Sequence, residues 1–222
     1  MYSYSFNSGV LSNAESVLRL AINKLFSQIA EPAPAIVEYE MPVIESSDIE
    51  DVNLSQAGNH EAYKRLIEKY EQEIAKNMWR FSRDILTHEE LVQDVFVEAY
   101  LSLNTYQNQA PFLHWLRKIA TRVGYRYWKE FAKQNHSKNI TLKEWDQVLS
   151  ETPEEINSER ATEIIHFLLE KLSLRDRLVL TLRFVEGCSV EETSYRTGWT
   201  KSMVKVQTIR AKRKLKKMFP NA

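Results

Sequence analysis

The most concentrated chemistry in this sequence is cationic and lies at its end. From Trp199 onward there are eight bases (Lys201, Lys205, Arg210, Lys212, Arg213, Lys214, Lys216, Lys217) and no acid. A run of that sign suits a polyanion. Ahead of it, Ser189 to Thr197 has the pattern of a short helix, stopped at Gly198, and Thr200 is placed to cap a longer basic one. A short helix, a three-residue turn containing glycine and a second helix make the helix-turn-helix layout. In that layout the second helix can enter a major groove, its first residues against base edges and its bases against phosphates.

A second contrast of charge lies mid-chain. From Asp84 to Leu116 there is no Lys or Arg, while Glu90, Asp94 and Glu98 recur every four residues as an acidic stripe on a helix. The sign then inverts. Lys118, Arg122, Arg126, Lys129 and Lys133 form a basic stripe interleaved with Tyr125, Tyr127, Trp128 and Phe131. Cations among aromatic rings suit single-stranded nucleic acid, because bases stack on rings while phosphates meet the charges. The acidic stripe suits a protein partner.

Other chemistries are absent from the sequence. There is no Gly-rich phosphate loop, no His-Glu-x-x-His and no nucleophile motif, so no enzyme is expected. Cys188 is the only cysteine, expected to pack rather than react, and the five histidines are scattered. Neither a disulfide, a metal site nor a cofactor is expected. No run of about 18 apolar residues and no basic-then-apolar leader occurs, which predicts a cytoplasmic protein without membrane insertion.

The elements that must carry these residues are helical. Only five Gly and six Pro punctuate 222 residues, and no useful strand-like alternation appears. Ser12 to Ala30 reads as an amphipathic helix, followed over 31–55 by three prolines, seven acids and no base, the composition of an acidic tether. Residues 1–58 together hold eight acids against Arg19 and Lys24. Tyr63, Leu66, Ile67, Tyr70, Ile74, Met78 and Phe81 mark one face of a long helix. Thr87 with Glu90 forms a capping box for the next, and Pro111 is placed to start a third that runs to about Lys133. Residues 134–158 are polar and read as a linker, with a short helical turn around Leu142–Leu149. Four further helices follow from about Glu159, one of them capped by Ser173 with Asp176 and ending at Gly187. The prediction is all-α: an N-terminal helix plus tether (1–58), a helical domain (59–133), a linker (134–158) and a helix-turn-helix domain (159–222).

Two stretches of sequence resemble a known family. Glu90-Leu91-Val92-Gln93-Asp94-Val95-Phe96, then Tyr106, a loop and Phe112-Leu113-His114-Trp115-Leu116-Arg117-Lys118-Ile119-Ala120, are similar to region 2 of extracytoplasmic-function sigma factors of RNA polymerase. Leu169, Leu172, Arg177, Leu182, Phe184, Glu186-Gly187, Ser189, Glu192, Gly198, Val204-Lys205, Arg210-Ala211 and Leu215 are similar to region 4 of the same family. The two motifs stand in the family's order and cover about 59–133 and 159–218. Departures include Arg122, where the family usually has Asn, Arg126, where Asp or Asn is common, Ser173 for Pro, Ser194 for Ala and Thr208 for an apolar residue.

Carried over by position, the resemblance implies that Glu90, Gln93, Asp94 and Glu98 face the polymerase clamp. It implies that Tyr106, Asn108, Arg122, Tyr125, Arg126 and Lys129 meet the melted −10 element. Lys205, Val206, Ile209 and Arg210 would read the −35 element, with Lys201, Lys212 and Arg213 on phosphates. The implied partners are core RNA polymerase, promoter DNA and an anti-sigma factor, with all catalysis left to the polymerase. The competing reading is a stand-alone helix-turn-helix regulator, normally a dimer on a two-fold operator.

Overall fold

The computed structural model describes residues 46–134 and 158–218. The sequence expectations for the helix at 12–30, for the tether up to residue 45 and for the turn at 142–149 fall outside them. Eight α-helices carry the described residues, and no strand occurs among them. They are α1 (Ser46–Gln56), α2 (His60–Met78), α3 (Ile85–Ser102), α4 (Phe112–Gln134), α5 (Ser158–Glu170), α6 (Leu174–Leu180), α7 (Val190–Thr197) and α8 (Lys201–Met218). None is long and apolar enough to cross a membrane. Two compact units result, one built on α1–α4, the other on α5, α6 and α8 with the start of α7.

In the first unit the apolar faces of α2, α3 and α4 close over Leu66, Ile74, Met78, Val95, Ala99, Phe112, Leu116 and Val123, all essentially without exposed surface. Asn59 caps α2 by accepting from the Ala62 N–H at 3.2 Å. Tyr63 ties α2 to α3, its hydroxyl donating to the Phe96 carbonyl at 2.6 Å. The start of α3 differs from the capping box expected at Thr87. Asp84 is the cap, accepting from the Thr87 N–H at 2.9 Å and from the Thr87 hydroxyl at 2.7 Å. The helix therefore begins three residues earlier, because an aspartate ahead of two apolar residues out-competes a threonine inside the turn.

The acidic segment is the larger correction. Residues 46–56 are the helix α1, packed against α2, and not tether. Val52 is fully buried. Asp48 is buried too, accepting from Lys69 Nζ at 2.6 Å and from the Tyr70 hydroxyl. Composition misled here, since two of the acids that suggested a solvated chain have internal partners. The other is Asp51, bonded to Arg65 on α2. Gln56, at the end of α1, donates to the Leu103 and Tyr106 carbonyls at 2.9 and 3.2 Å. Helix α1 thus braces the loop that follows α3.

In the second unit Leu168, Leu169, Val179, Leu180, Leu182, Val204, Ala211 and Leu215 form the core. Cys188 is buried, as its packing role required. Ser173 starts α6 with an extended backbone but makes no side-chain cap; its hydroxyl instead donates to Asp176 at 2.6 Å. Past Leu180 the single helix expected up to Gly187 widens into a π turn, Thr181–Val185. Widened turns of this kind insert a residue without ending the helix.

Candidate nucleic-acid interface and partner face

The helix-turn-helix is closed by local hydrogen bonds. Gly198 stands at φ +73, in the left-handed region where a side chain is disfavoured, and its N–H donates to the Ser194 carbonyl at 2.9 Å. The Ser194 hydroxyl reaches the Trp199 carbonyl at 2.6 Å. Thr200 caps α8 by accepting from the Met203 N–H at 3.2 Å. Ser189 does the same for α7 through the Glu192 N–H at 3.0 Å. A serine where alanine is common therefore adds a bond that stiffens the turn.

Burial of Val204, Ala211 and Leu215 sets the rotation of α8. At about 100° per residue, Ser202, Val206, Ile209 and Arg213 then share the outer face. Val206 and Ile209 are about half exposed on this face, which suits contact with thymine methyls. Lys205 and Arg210, both exposed, flank this face on opposite sides. Lys201 pairs with Glu191 of α7 at 3.2 Å. Lys212 lies elsewhere: it is half-buried, its ammonium 4.7 Å from the centre of the Phe184 ring. Burial, with Arg183 and Lys216 nearby, lowers its pKa. Lys214 turns inward to Asp176. The run of eight bases is therefore not one patch.

On α4 the geometry sorts the aromatic residues that sequence had grouped together. Lys118, Arg122, Tyr125, Arg126, Lys129 and Lys133 occupy about 100° of one side at helical spacing. Trp128 is core, its indole N–H donating to the Phe81 carbonyl at 2.9 Å. Tyr127 and Phe131 fall on another side and touch each other, ring centres 5.8 Å apart. Only Tyr125 accompanies the cations.

The loop before α4 carries the other residues expected to meet the −10 element. Tyr106 is buried, stacked edge-on against Phe112, with its hydroxyl donating to the Ala110 carbonyl. Burial, with the charge of Asp48, pushes its phenol up to about 12. Its buried ring shapes the loop. Asn108 sits at the loop tip with φ +55, and its buried side-chain oxygen has no hydrogen-bond partner in the structure.

The acidic stripe of α3 is not straight. Residues four apart advance about 40° around a helix. Glu90 and Asp94 are exposed on the outer side with Gln93, whereas Glu98 has rotated toward α4. There it accepts from Arg122 Nη2 at 3.0 Å and from Arg126. Burial would raise the Glu98 carboxyl, but Arg126 and Arg122 outweigh it and hold it below the usual carboxylate range. Between the outer acids lie Leu86, Val97 and Leu101, exposed by 72%, 56% and 76%. Sequence reasoning missed these three; apolar residues at the spacing of Gln93 and not of Val95 were the available signal.

An all-α chain with a helix-turn-helix at α7–α8, and with a cationic helix beside an acidic, apolar one at α3–α4, is built as a DNA-binding protein with a separate partner face. Comparison with known families makes this specific. Residues 66–133 match Sigma-70 region 2, and residues 162–215 match Sigma-70, region 4. The chain belongs to the sigma-70 family of RNA polymerase sigma factors, in its extracytoplasmic-function branch, and its function is to bind core RNA polymerase and direct promoter recognition for transcription initiation. A stand-alone regulator is not favoured.

Relatives agree. The chain is 26% identical over 147 residues to the ECF RNA polymerase sigma-E factor of Escherichia coli (strain K12), covering 62% of this chain and 75% of that one. It is 26% identical over 165 residues to the ECF RNA polymerase sigma factor SigX of Bacillus subtilis (strain 168), covering 71% and 83%. With the RNA polymerase sigma factor YlaC of the same organism it shares 27% over 165 residues, covering 72% and 92%. Among solved structures, a chain from CnrH in complex with the cytosolic domain of CnrY aligns at 22% identity and a TM-score of 0.50, covering 78% of this chain and 97% of that one, a likeness of fold.

Proposed function

We propose that the faces described above divide the work of initiation by residue. The outer side of α3, with Glu90, Gln93 and Asp94 around Leu86, Val97 and Leu101, takes core polymerase. The outer side of α4, with Arg122, Tyr125, Arg126 and Lys129, and the loop tip at Asn108 meet the melted −10 strand. The outer side of α8 reads the −35 element through Lys205, Val206, Ile209, Arg210 and Arg213, with Lys201 at a phosphate. The domain limits follow: 59–133 for the first two tasks, with α1 joined to it, 134–158 as linker and 159–222 for the third. No residue is assigned to catalysis, since the polymerase carries the chemistry, and the chain acts in the cytoplasm beside it. A regulatory protein of the anti-sigma class is a further partner, a reading supported by CnrH having been solved with the cytosolic domain of another protein.

The observation that carries this reading is the α3 face, where exposed acids surround exposed aliphatic side chains with no internal role. An apolar centre with a charged rim is the anatomy of a protein interface. Reversing charge across such an interface costs several kcal/mol. The double substitution Glu90→Arg and Asp94→Arg is therefore expected to abolish capture of core polymerase at unchanged helicity, and with it run-off transcription from genomic templates. Undiminished capture would remove α3 from the polymerase interface.

A further inference from the structure

Glu98 stands at the seam between two of these surfaces. It comes from the helix assigned to polymerase, yet both its oxygens are used by the helix assigned to DNA. Arg122 places Nε and Nη2 on Oε2, at 3.2 and 3.0 Å, while Arg126 places Nη1 on Oε1. Arg126 also approaches Asp94 at 3.9 Å. The Glu98 side chain is 22% exposed, against 60% for Arg122 and 44% for Arg126. The carboxylate is the tucked-in partner and the guanidiniums are the presented ones.

We propose that Glu98 is a positioning residue for promoter-strand reading and not a polymerase contact: it holds Arg122 and Arg126 as a fixed pair of guanidinium forks on the outer face of α4. This rests on the assignment of that face to the −10 strand. Two arginines one helical turn apart repel and sample many rotamers when unpaired. A carboxylate between them cancels the repulsion and fixes both planes, and planar forks recognise nucleic acid by geometry that a lysine lacks. The carboxylate also removes one positive charge from the face. Sequence-blind attraction to phosphate falls, and contacts that depend on fork orientation gain weight.

The test uses the full chain and its holoenzyme with core polymerase. Glu98→Gln keeps the shape and removes the charge. With (dT)20 as probe, its binding should tighten at low salt, and the logarithmic salt slope should steepen by about 0.7, the value for one added phosphate contact on a single strand. In selection of holoenzyme-bound oligonucleotides from a randomised 20-nucleotide single-strand pool, Glu98→Gln should enrich a weaker consensus than the parent chain. Arg122→Lys with Arg126→Lys should weaken that consensus too, at unchanged salt slope, which keeps the proposal testable should Glu98→Gln fail to fold. Weaker capture of core polymerase by Glu98→Gln, with an intact consensus, would overturn it. If Arg122→Ala with Arg126→Ala changes neither measurement, the assignment of α4 to the promoter strand fails instead.

Discussion

Gln207, halfway along α8, donates from its side-chain amide to Oδ1 of Asp176 at 2.6 Å, and the Asp176 carboxylate has no exposed surface. Lys214 and Ser173 donate to Oδ2. A residue at the start of α6 thus fixes the rotation of α8, and with it the direction in which Val206, Ile209 and Arg213 point. Asp176→Ala would leave a part-buried amide and a hydroxyl unpaired, while the half-exposed Lys214 returns to water. The expected loss is about 1–3 kcal/mol of stability, read as a lower urea midpoint. An unchanged midpoint would mean that these bonds merely replace equivalent ones to water.

The outer face of α8 separates two bases that are neighbours in sequence. Arg213 lies between Val206 and Ile209 on the exposed side, and Arg210 flanks them. Lys212 rests over Phe184. Arg210→Ala should weaken binding to the −35 element by about 1–3 kcal/mol if it makes a bidentate base contact. Lys212→Ala should cost about 0.5–1 kcal/mol of stability through its ring contact and leave the salt dependence of DNA binding nearly unchanged. A salt slope lower by about one unit for Lys212→Ala would instead make it a phosphate contact.

The brace from α1 to the loop after α3 depends on a single amide. Gln56→Ala removes both of its bonds, to Leu103 and Tyr106. The expected cost is about 1 kcal/mol, concentrated in the loop. Hydrogen exchange should therefore quicken from Leu103 to Ala110 more than in α2, whose N–H groups are bonded within the helix. Uniform quickening across the unit would place the effect in global stability alone.

Gly124 marks the closest approach of α4 to the Phe81 ring. A Cβ built there would fall well inside van der Waals contact with Phe81 Cγ. Phe81 cannot swing away easily, because it packs on Trp128 at 4.6 Å between ring centres. Gly124→Ala should destabilise by about 1–3 kcal/mol through overpacking. Phe81→Leu should recover part of that loss in the double variant, a non-additivity expected of residues in contact. Strictly additive melting temperatures would show that the backbone shifts instead.

Much of this protein was legible without coordinates, for identifiable reasons. Helical spacing in Tyr63–Met78 and Leu91–Leu103 reports which side is buried, because a core accepts only apolar surface. The helix-turn-helix could be placed from Gly198 and Thr200, since a left-handed turn and a cap each demand particular residue types. What an element touches is another matter. Nothing local in Asp48 or Asp51 distinguishes a solvated acid from one bonded to Tyr70 and Lys69 or to Arg65 on the next helix; only packing α1 against α2 decides it. Likewise Glu98, Lys212 and Lys214 belong by sequence to charged runs, yet meet Arg122, Phe184 and Asp176. Charge is a property of a residue, whereas a charged surface is a property of rotation: successive steps of about 100° carry some members of a run outward and others into the seams between helices.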